Sequence, residues 1–552
     1  MTSRRARRAP ALSAAAAVLV AAAAAAAEER PLAITAADLR AHTVVLGSDA
    51  MAGRAPGSAG GKRAADYLAR QLRAAGLRPL PGNLGLEQPV PLHGSLASPE
   101  STLELVSLGE ARRLELGRDY LLASAGSQTL IPRRVPMVFV GYGIVAPEFD
   151  YNDYQGFDVR GRVVVYLDGE PPSDDPDFFK GPEPTVYAAP ETKKRIALSR
   201  GAVGSLLVPL PRPDLEAAWN RTRRDYGFET LSLAYALPEH LSAILHPEVA
   251  AWLFADALYD LEAVLAMAAS GTLRGFYLPT EASFRGRFRV RDVVAPNLVG
   301  VVPGIDPELR GRYVVLLAHY DHLGVGPPVA GDAIYNGVVD NALGVSCVVE
   351  AARQLASVRP GPRRSVIVLL TTAEEAGLLG ARYFLDHSPV PPARLAAAVN
   401  VDGLAFLSPF NDLVGIGGEL SDLGEHLRRA VAPLGLGVSG PPDGVWDHVA
   451  YSRGDQLAFA EDGVPSILVN EGFDWPGRSH DEALEAALTW MVERYHSPAD
   501  DLDQPLDFEA ATLHCTAVLR LVLEVANADT EPRWRPGVPY AYERLLSEAD
   551  GR

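Results

Sequence analysis

From Tyr313 onward the chain repeats one pattern: a short, wholly apolar run, a polar turn, then a segment with apolar residues at helical spacing. The apolar runs are Tyr313–Ala318, Ser365–Leu370, Ala396–Val401 and Ser466–Val469. Between the first two, Val345, Val348, Val349, Ala352 and Leu355 recur on one face of a helix predicted over residues 342–356. A strand that is apolar on both faces must be covered on both. Helices laid over a largely parallel sheet achieve that. The expected fold class is therefore α/β, a mostly parallel mixed sheet flanked by helices.

In such sheets ligands bind beyond the carboxyl ends of the strands. The polar residues that can do chemistry fall there. The first run leads into His319-Tyr320-Asp321, the second into Thr371-Thr372-Ala373-Glu374-Glu375, and the third into Asp402-Gly403. Asn336 to Gly344 carries Asp340-Asn341 into the predicted helix, and Tyr495-His496 comes late in the chain, ahead of Asp500-Asp501. Singly, each reads as well as a helix cap or a solvated turn. Jointly they place imidazole and carboxylate at several strand ends, a donor set that suits zinc, with cobalt or manganese as alternatives.

Composition narrows the chemistry. Of 552 residues only Cys347 and Cys515 are cysteines, so a thiolate metal site is excluded and at most one bridge can form. Cys347 falls on the apolar helix face and Cys515 on a late helix, and both are expected as inert core thiols. The formal charge of −18 argues against nucleic acid as a partner, since binding phosphate needs Lys and Arg to displace counterions.

The rest of the chain divides by composition. Arg4, Arg5, Arg7 and Arg8 precede an uncharged Ala-rich stretch to Ala27, the layout of a signal peptide over residues 1–27. That predicts an exported chain, periplasmic or secreted, with no stable membrane insertion. Residues 28–134 open with a helix, a small-residue loop at 51–58 and a second helix, then alternate short apolar and polar runs. Val138–Val140, Val163–Leu167 and Ser205–Val208 read as strands of a separate, smaller α/β unit over residues 135–290. The main pattern occupies 291–529, and 530–552 is a polar tail.

Taken in order, His319-x-Asp321, Asp340-Asn341-Ala-x-Gly344, Glu374-Glu375-x-Gly377-x-x-Gly380, Val401-Asp402 and Tyr495-His496 resemble the motifs of the co-catalytic di-zinc aminopeptidases, metallopeptidase family twenty-eight. The resemblance covers Ala36–Gly82 and Asn297–Asn527, and residues 135–210 look like the protease-associated domain that many members carry as an insert. It implies a zinc-exopeptidase-like fold and two zinc ions per chain. Asp340 would bridge them, His319 and Asp402 would complete one, and Glu375 and His496 the other. Glu374 would be the general base for a bridging water, Asp321 would orient His319, and Tyr495 would support the oxyanion or merely pack. A cis peptide between Asp340 and Asn341 is implied as well. Asp455 matches a Ser-Asp segment of the family, but Gly454 stands in place of the Ser. His322, His448 and His480 have no evident partner and are expected at the surface.

The expected activity is hydrolysis of amino-terminal residues from peptides with a free amino end. Three rivals stand beside it. A carboxypeptidase for acidic ends would want an arginine cluster, and only Arg453 and Arg478 offer themselves. A glutaminyl cyclase would use one zinc. A receptor-like protein on a dead scaffold would have lost ligands, and none of the five is missing. Side-chain preference and oligomeric state are not legible.

Overall fold

The computed structural model describes residues 33–182, 184–237, 240–440 and 451–550. The expected signal segment and His448 lie outside them. Two large sheets organise the chain. The first has nine strands in the order Thr230–Leu233, Glu87–Ala97, Phe288–Val302, Ser365–Thr371, Tyr313–His319, Leu395–Asn400, Ser466–Glu471, Asp412–Ile416, Gly437–Ser439. The four strands from Ser365–Thr371 to Ser466–Glu471 run parallel. Antiparallel neighbours flank them on both sides. The sheet is thus parallel at its centre, where the strands are apolar on both faces, and mixed outside it.

Helices cover both faces. Ala59–Ala74 starts where the Ser58 hydroxyl accepts the Gly61 N–H, and it buries Ala64, Ala65, Leu68 and Leu72 at helical spacing. Gly344–Ser357 is buried along nearly its whole length. Phe508–Asn527, capped by the Asp507 carboxylate, packs beside it. These helices and the alternate sheet residues Val314, Leu316 and Ala318 form one core. Phe384 and Phe459 close the opposite face over Val315 and Leu317.

The two cysteines are not free. Cys347 and Cys515 are joined in a disulfide between those two packed helices, with Cα atoms 5.4 Å apart. The expectation of separate thiols fails because the helices cross at both positions, a contact between residues 168 apart that local pattern does not report.

The second sheet has eight strands, in the order Glu110–Leu114, Thr102–Ser107, Phe276–Arg285, Leu130–Phe139, Val163–Leu167, Gly204–Val208, Leu241–Leu245, Tyr120–Ser124. It has its own core. The strands read from sequence at 138–140, 163–167 and 205–208 are in it. It begins at Thr102, however, so position 135 falls inside one of its strands rather than at its border. An eleven-pair antiparallel ladder from Glu87↔Leu298 to Ala97↔Phe288 carries the chain out of the main sheet and back. Thr230–Leu233 leaves the intervening segment and pairs on the edge of the main sheet. There Leu233 packs with Val90, Leu92, Ala295 and Ala373. No helix among the described residues is long and apolar enough to cross a membrane.

Candidate metal centre and substrate pocket

The parallel register sets the site. Pairing of His319 with Thr371 and of Leu317 with Asn400 brings three strand ends to one edge of the sheet. His319, the Thr372–Glu375 loop and Asp402 all emerge there. Asp340 arrives from the turn before the Gly344–Ser357 helix. Gly337 permits that turn: it has φ +60°, and a Cβ on it would lie 2.2 Å from the Asp340 carbonyl oxygen. The Asp340–Asn341 peptide is cis. Asn297, fully buried, pins the loop of the two glutamates by accepting the Thr372 N–H and donating to the Gly380 carbonyl. Ala373 and His496 both hold positive φ, the kind of backbone strain that a surrounding structure must impose.

The Asp340 carboxylate faces two ways. Its Oδ1 lies 3.3 Å from His319 Nε2, which is also 3.1 Å from Asp402 Oδ1. Its Oδ2 lies 3.2 Å from His496 Nε2, which is also 3.1 Å from Glu375 Oε2. His496 Nε2 is buried and makes no hydrogen bond of acceptable geometry despite these two neighbours. A nitrogen so placed between two carboxylate oxygens fits coordination to a cation better than a network of hydrogen bonds. The ligand atoms that cluster closely enough to hold metal are those of His319, Asp340 and Asp402 on one side, and of His322, Asp340 and Glu375 on the other; the expected ligand His496 is outside that second cluster but meets the same two carboxylates at 3.2 and 3.1 Å.

Electrostatics follow from packing these charges together out of water. Against the cost of burial, His322, His319 and His496 hold the Asp340 carboxyl well below its ordinary range. Glu375 is likewise held down, to about 2, with burial outweighed mainly by His496. Glu374 goes the other way. Burial, with Glu375, Asp402 and Asp455 nearby and only His319 opposing them, pushes it well above the carboxylate range. Of the two adjacent glutamates it is the one poised to carry a proton, and beside it burial lifts Asp321 to about 7.

Asp321 differs from expectation. His319 Nδ1 lies 3.2 Å from the Asp321 main-chain oxygen and 3.9 Å from its carboxylate, so the backbone rather than the side chain meets the ring. The carboxylate accepts the Glu374 N–H at 3.2 Å. The Tyr495 ring stacks on His496 with centroids 3.9 Å apart and lines the pocket. Asp455 is buried and takes a hydrogen bond from the Thr371 hydroxyl, beneath the cavity wall rather than in it.

Sequence reasoning missed two members. His322 is buried, not superficial, with Nδ1 2.7 Å from Glu375 Oε1. Arg54 is 1% exposed and donates only to main-chain oxygens, those of Leu46, Tyr320, Asn336 and Gly337. Burial lowers its guanidinium to about 10, while the charges of Asp340, Asp500, Asp321 and Glu375 oppose the loss. It is a fixed cation under an acidic site, and it ties together the two loops that bring His319 and Asp340.

Beside the candidate metal groups opens a cavity with mostly apolar walls, including Leu404, Phe406, Ile416, Phe473 and Trp490. A half-buried apolar cavity meeting a cluster of ionisable groups is the usual form of an enzyme site.

Residues 297–522 match the model of Peptidase family M28. That segment, which carries the candidate site, is thus similar to peptidase family M28. The chain is 26% identical over 263 residues to a protein of Pyrenophora tritici-repentis (strain Pt-1C-BFP) described as a "Probable zinc metalloprotease", covering 41% of this chain and 56% of that one. It thus spans about half the length of that curated relative. Among solved structures, the aminopeptidase from Aneurinibacillus sp. strain AM-1 is similar with a TM-score of 0.52 at 17% identity, over 91% of this chain and 96% of that one. BSAP, a zinc aminopeptidase from Bacillus subtilis, is similar at 0.47 and 18%, over 89% and 95%. At 17% identity the likeness to the Aneurinibacillus enzyme is one of fold, and the segment matched by the family model carries the site described above.

Proposed function

We propose that the protein is an exported, zinc-dependent aminopeptidase that removes amino-terminal residues from peptides. The observation that carries this is the two-sided Asp340 carboxylate, with His319 and Asp402 at one oxygen and Glu375 and His496 at the other. In this reading each side holds one zinc ion, which when bound polarises the scissile carbonyl and makes water acidic enough to be ionised near neutral pH. Glu374 takes the proton from the attacking water and passes it to the leaving amine, a role its raised affinity for protons supports. Asp321 fixes that glutamate through its N–H, and Tyr495 offers its hydroxyl to the developing oxyanion.

The cavity beside these groups would take the side chain of the first residue, and its walls favour a bulky apolar one. A pocket built to read a carboxyl end would want several arginines. Here Arg453 is the one arginine of the lining among the described residues, and Arg478 lies over the Trp475 ring instead. The second sheet is read as a protease-associated-like unit beside the catalytic one. Export is supported by the amino-terminal sequence and by the Cys347–Cys515 pairing, since such bonds persist in oxidising compartments.

One comparison tests the reading: a peptide offered with a free and with an acetylated amino end, products followed by mass spectrometry. Stepwise loss from the free amino end, and none from the acetylated peptide, is expected. Equal cleavage of both, or loss from the carboxyl end, overturns the aminopeptidase assignment.

A further inference from the structure

His322 follows the His319-x-Asp321 motif by one residue, in the irregular segment after the Tyr313–His319 strand. It is 1% exposed. Its Nδ1 lies 2.7 Å from Glu375 Oε1 and 3.8 Å from Asp340 Oδ2. Its ring rests on Gly337, where a Cβ would come within 2.4 Å of it, and meets the His496 ring edge-on at 5.7 Å. Its Nε2 is buried with no partner. Fixed from one side by glycine and from the other by carboxylates, the imidazole has one contact within hydrogen-bond distance among the described residues, and it is with the candidate metal ligand Glu375.

We propose that His322 is a positioning residue of the metal site that Glu375 and His496 form. In this reading Nδ1 donates to Glu375 Oε1, a contact of 2.7 Å, and Asp340 Oδ2 at 3.8 Å lies beyond hydrogen-bond reach. The Nδ1–H occupies Glu375 Oε1. Only Oε2, the oxygen that faces His496, is then left for a cation, and Glu375 is held to one-point attachment. Groups that orient a metal's ligands in this way are worth about 10–100-fold in affinity. Its one hydrogen-bonded contact is with Glu375, and it faces the Asp340 oxygen on the Glu375 side, so its larger effect falls on that site.

This rests on the two-metal reading of Asp340. The test is competition between a chromophoric chelator and the metal-free full-length protein for zinc, resolving the two dissociation constants. His322→Phe keeps a ring against Gly337 and removes the donor. It should weaken one zinc equivalent by about 10–100-fold and the other by much less. His322→Asn can place an amide N–H where Nδ1–H was and should recover most of the loss. His322→Gln, whose amide reaches towards the Nε2 position, should not. This Asn–Gln pair carries the comparison if the Phe variant does not fold. Unchanged affinity in Phe and Gln, equal weakening of both equivalents, or Asn no better than Gln overturns the proposal. Wild-type protein that takes up fewer than two zinc ions overturns the two-metal reading itself, and His322 with it.

Discussion

Asp500 accepts the main-chain N–H of Asp340 at 3.1 Å across 160 positions of sequence. It also accepts the N–H of Val339 at 2.9 Å. Gln504 donates to the same carboxylate at 2.6 Å, and Trp490 in the cavity wall donates to Gln504 at 2.8 Å. The wall of the substrate cavity and the shared carboxylate are thus joined through one hydrogen-bonded chain. Val338, Val339 and Asp340 form the turn that aims Asp340, and Asp500 is its clamp.

Asp500→Asn should therefore weaken both zinc equivalents, because Asp340 serves both sides. One acceptor oxygen becomes an N–H that faces other N–H groups, and a bond to a charged group is worth about 1.5–3 kcal/mol. Chelator competition reads the outcome. A selective loss at one site would contradict the clamp.

Glu374→Gln keeps shape and hydrogen bonding but cannot take a proton. Zinc content should stay at the wild-type level while kcat falls by roughly 10²–10⁴-fold. Glu375→Gln should lose metal instead. Elemental analysis beside steady-state kinetics separates the two cases, and near-normal turnover in Glu374→Gln would show that another group is the base.

Removing the bridge between Cys347 and Cys515, as a double Ala variant, should destabilise the fold by about 2–5 kcal/mol. The bridge spans 168 residues and lies between the two helices behind the metal centre. Non-reducing peptide mapping should recover the linked pair, and chemical denaturation should give a lower midpoint for the variant. Thiols that titrate in the folded protein would contradict the pairing.

Burial lifts the Glu471 carboxyl from 4.5 to about 7. His514, 3.9 Å away, gives it no charge to pair with, since burial pushes that imidazole down to about 4. Between about 4.5 and 7 the folded chain holds a proton that the unfolded chain releases, so this residue's contribution to stability falls as pH rises through that window. Glu471→Gln should raise the Tm at about pH 8 and gain little at about pH 5. An equal gain at both would refute the titration.

The central strands were legible because burial on both faces writes itself as an unbroken apolar run, and the strand ends then locate His319, Glu374 and Asp402. His322 was not legible. A lone histidine after a turn carries no periodic signal, and only the approach of Glu375, 53 positions on, and of Gly337 encloses it. Arg54 was hidden for a related reason. Its partners are all main-chain oxygens, three of them more than 260 residues away, and a carbonyl acceptor leaves no mark on sequence. The early start of the second sheet was missed because Thr102–Ser107 and Tyr120–Ser124 pair with Phe276–Arg285 and Leu241–Leu245. The alternation of residues 85–135 reads as β-rich, but local pattern does not report which sheet such strands join.

The Thr230–Leu233 strand makes the two halves of this molecule interlocked rather than modular. Cutting the second unit out at the ladder that leads into it would also take away the edge strand, and with it Leu233, which backs Ala373 next to the candidate base. A trimmed catalytic half would then fail for architectural reasons, whatever the removed half contributes to substrate choice. The two pieces have to be inherited together. A graft of either onto a relative must carry the reciprocal strand with it.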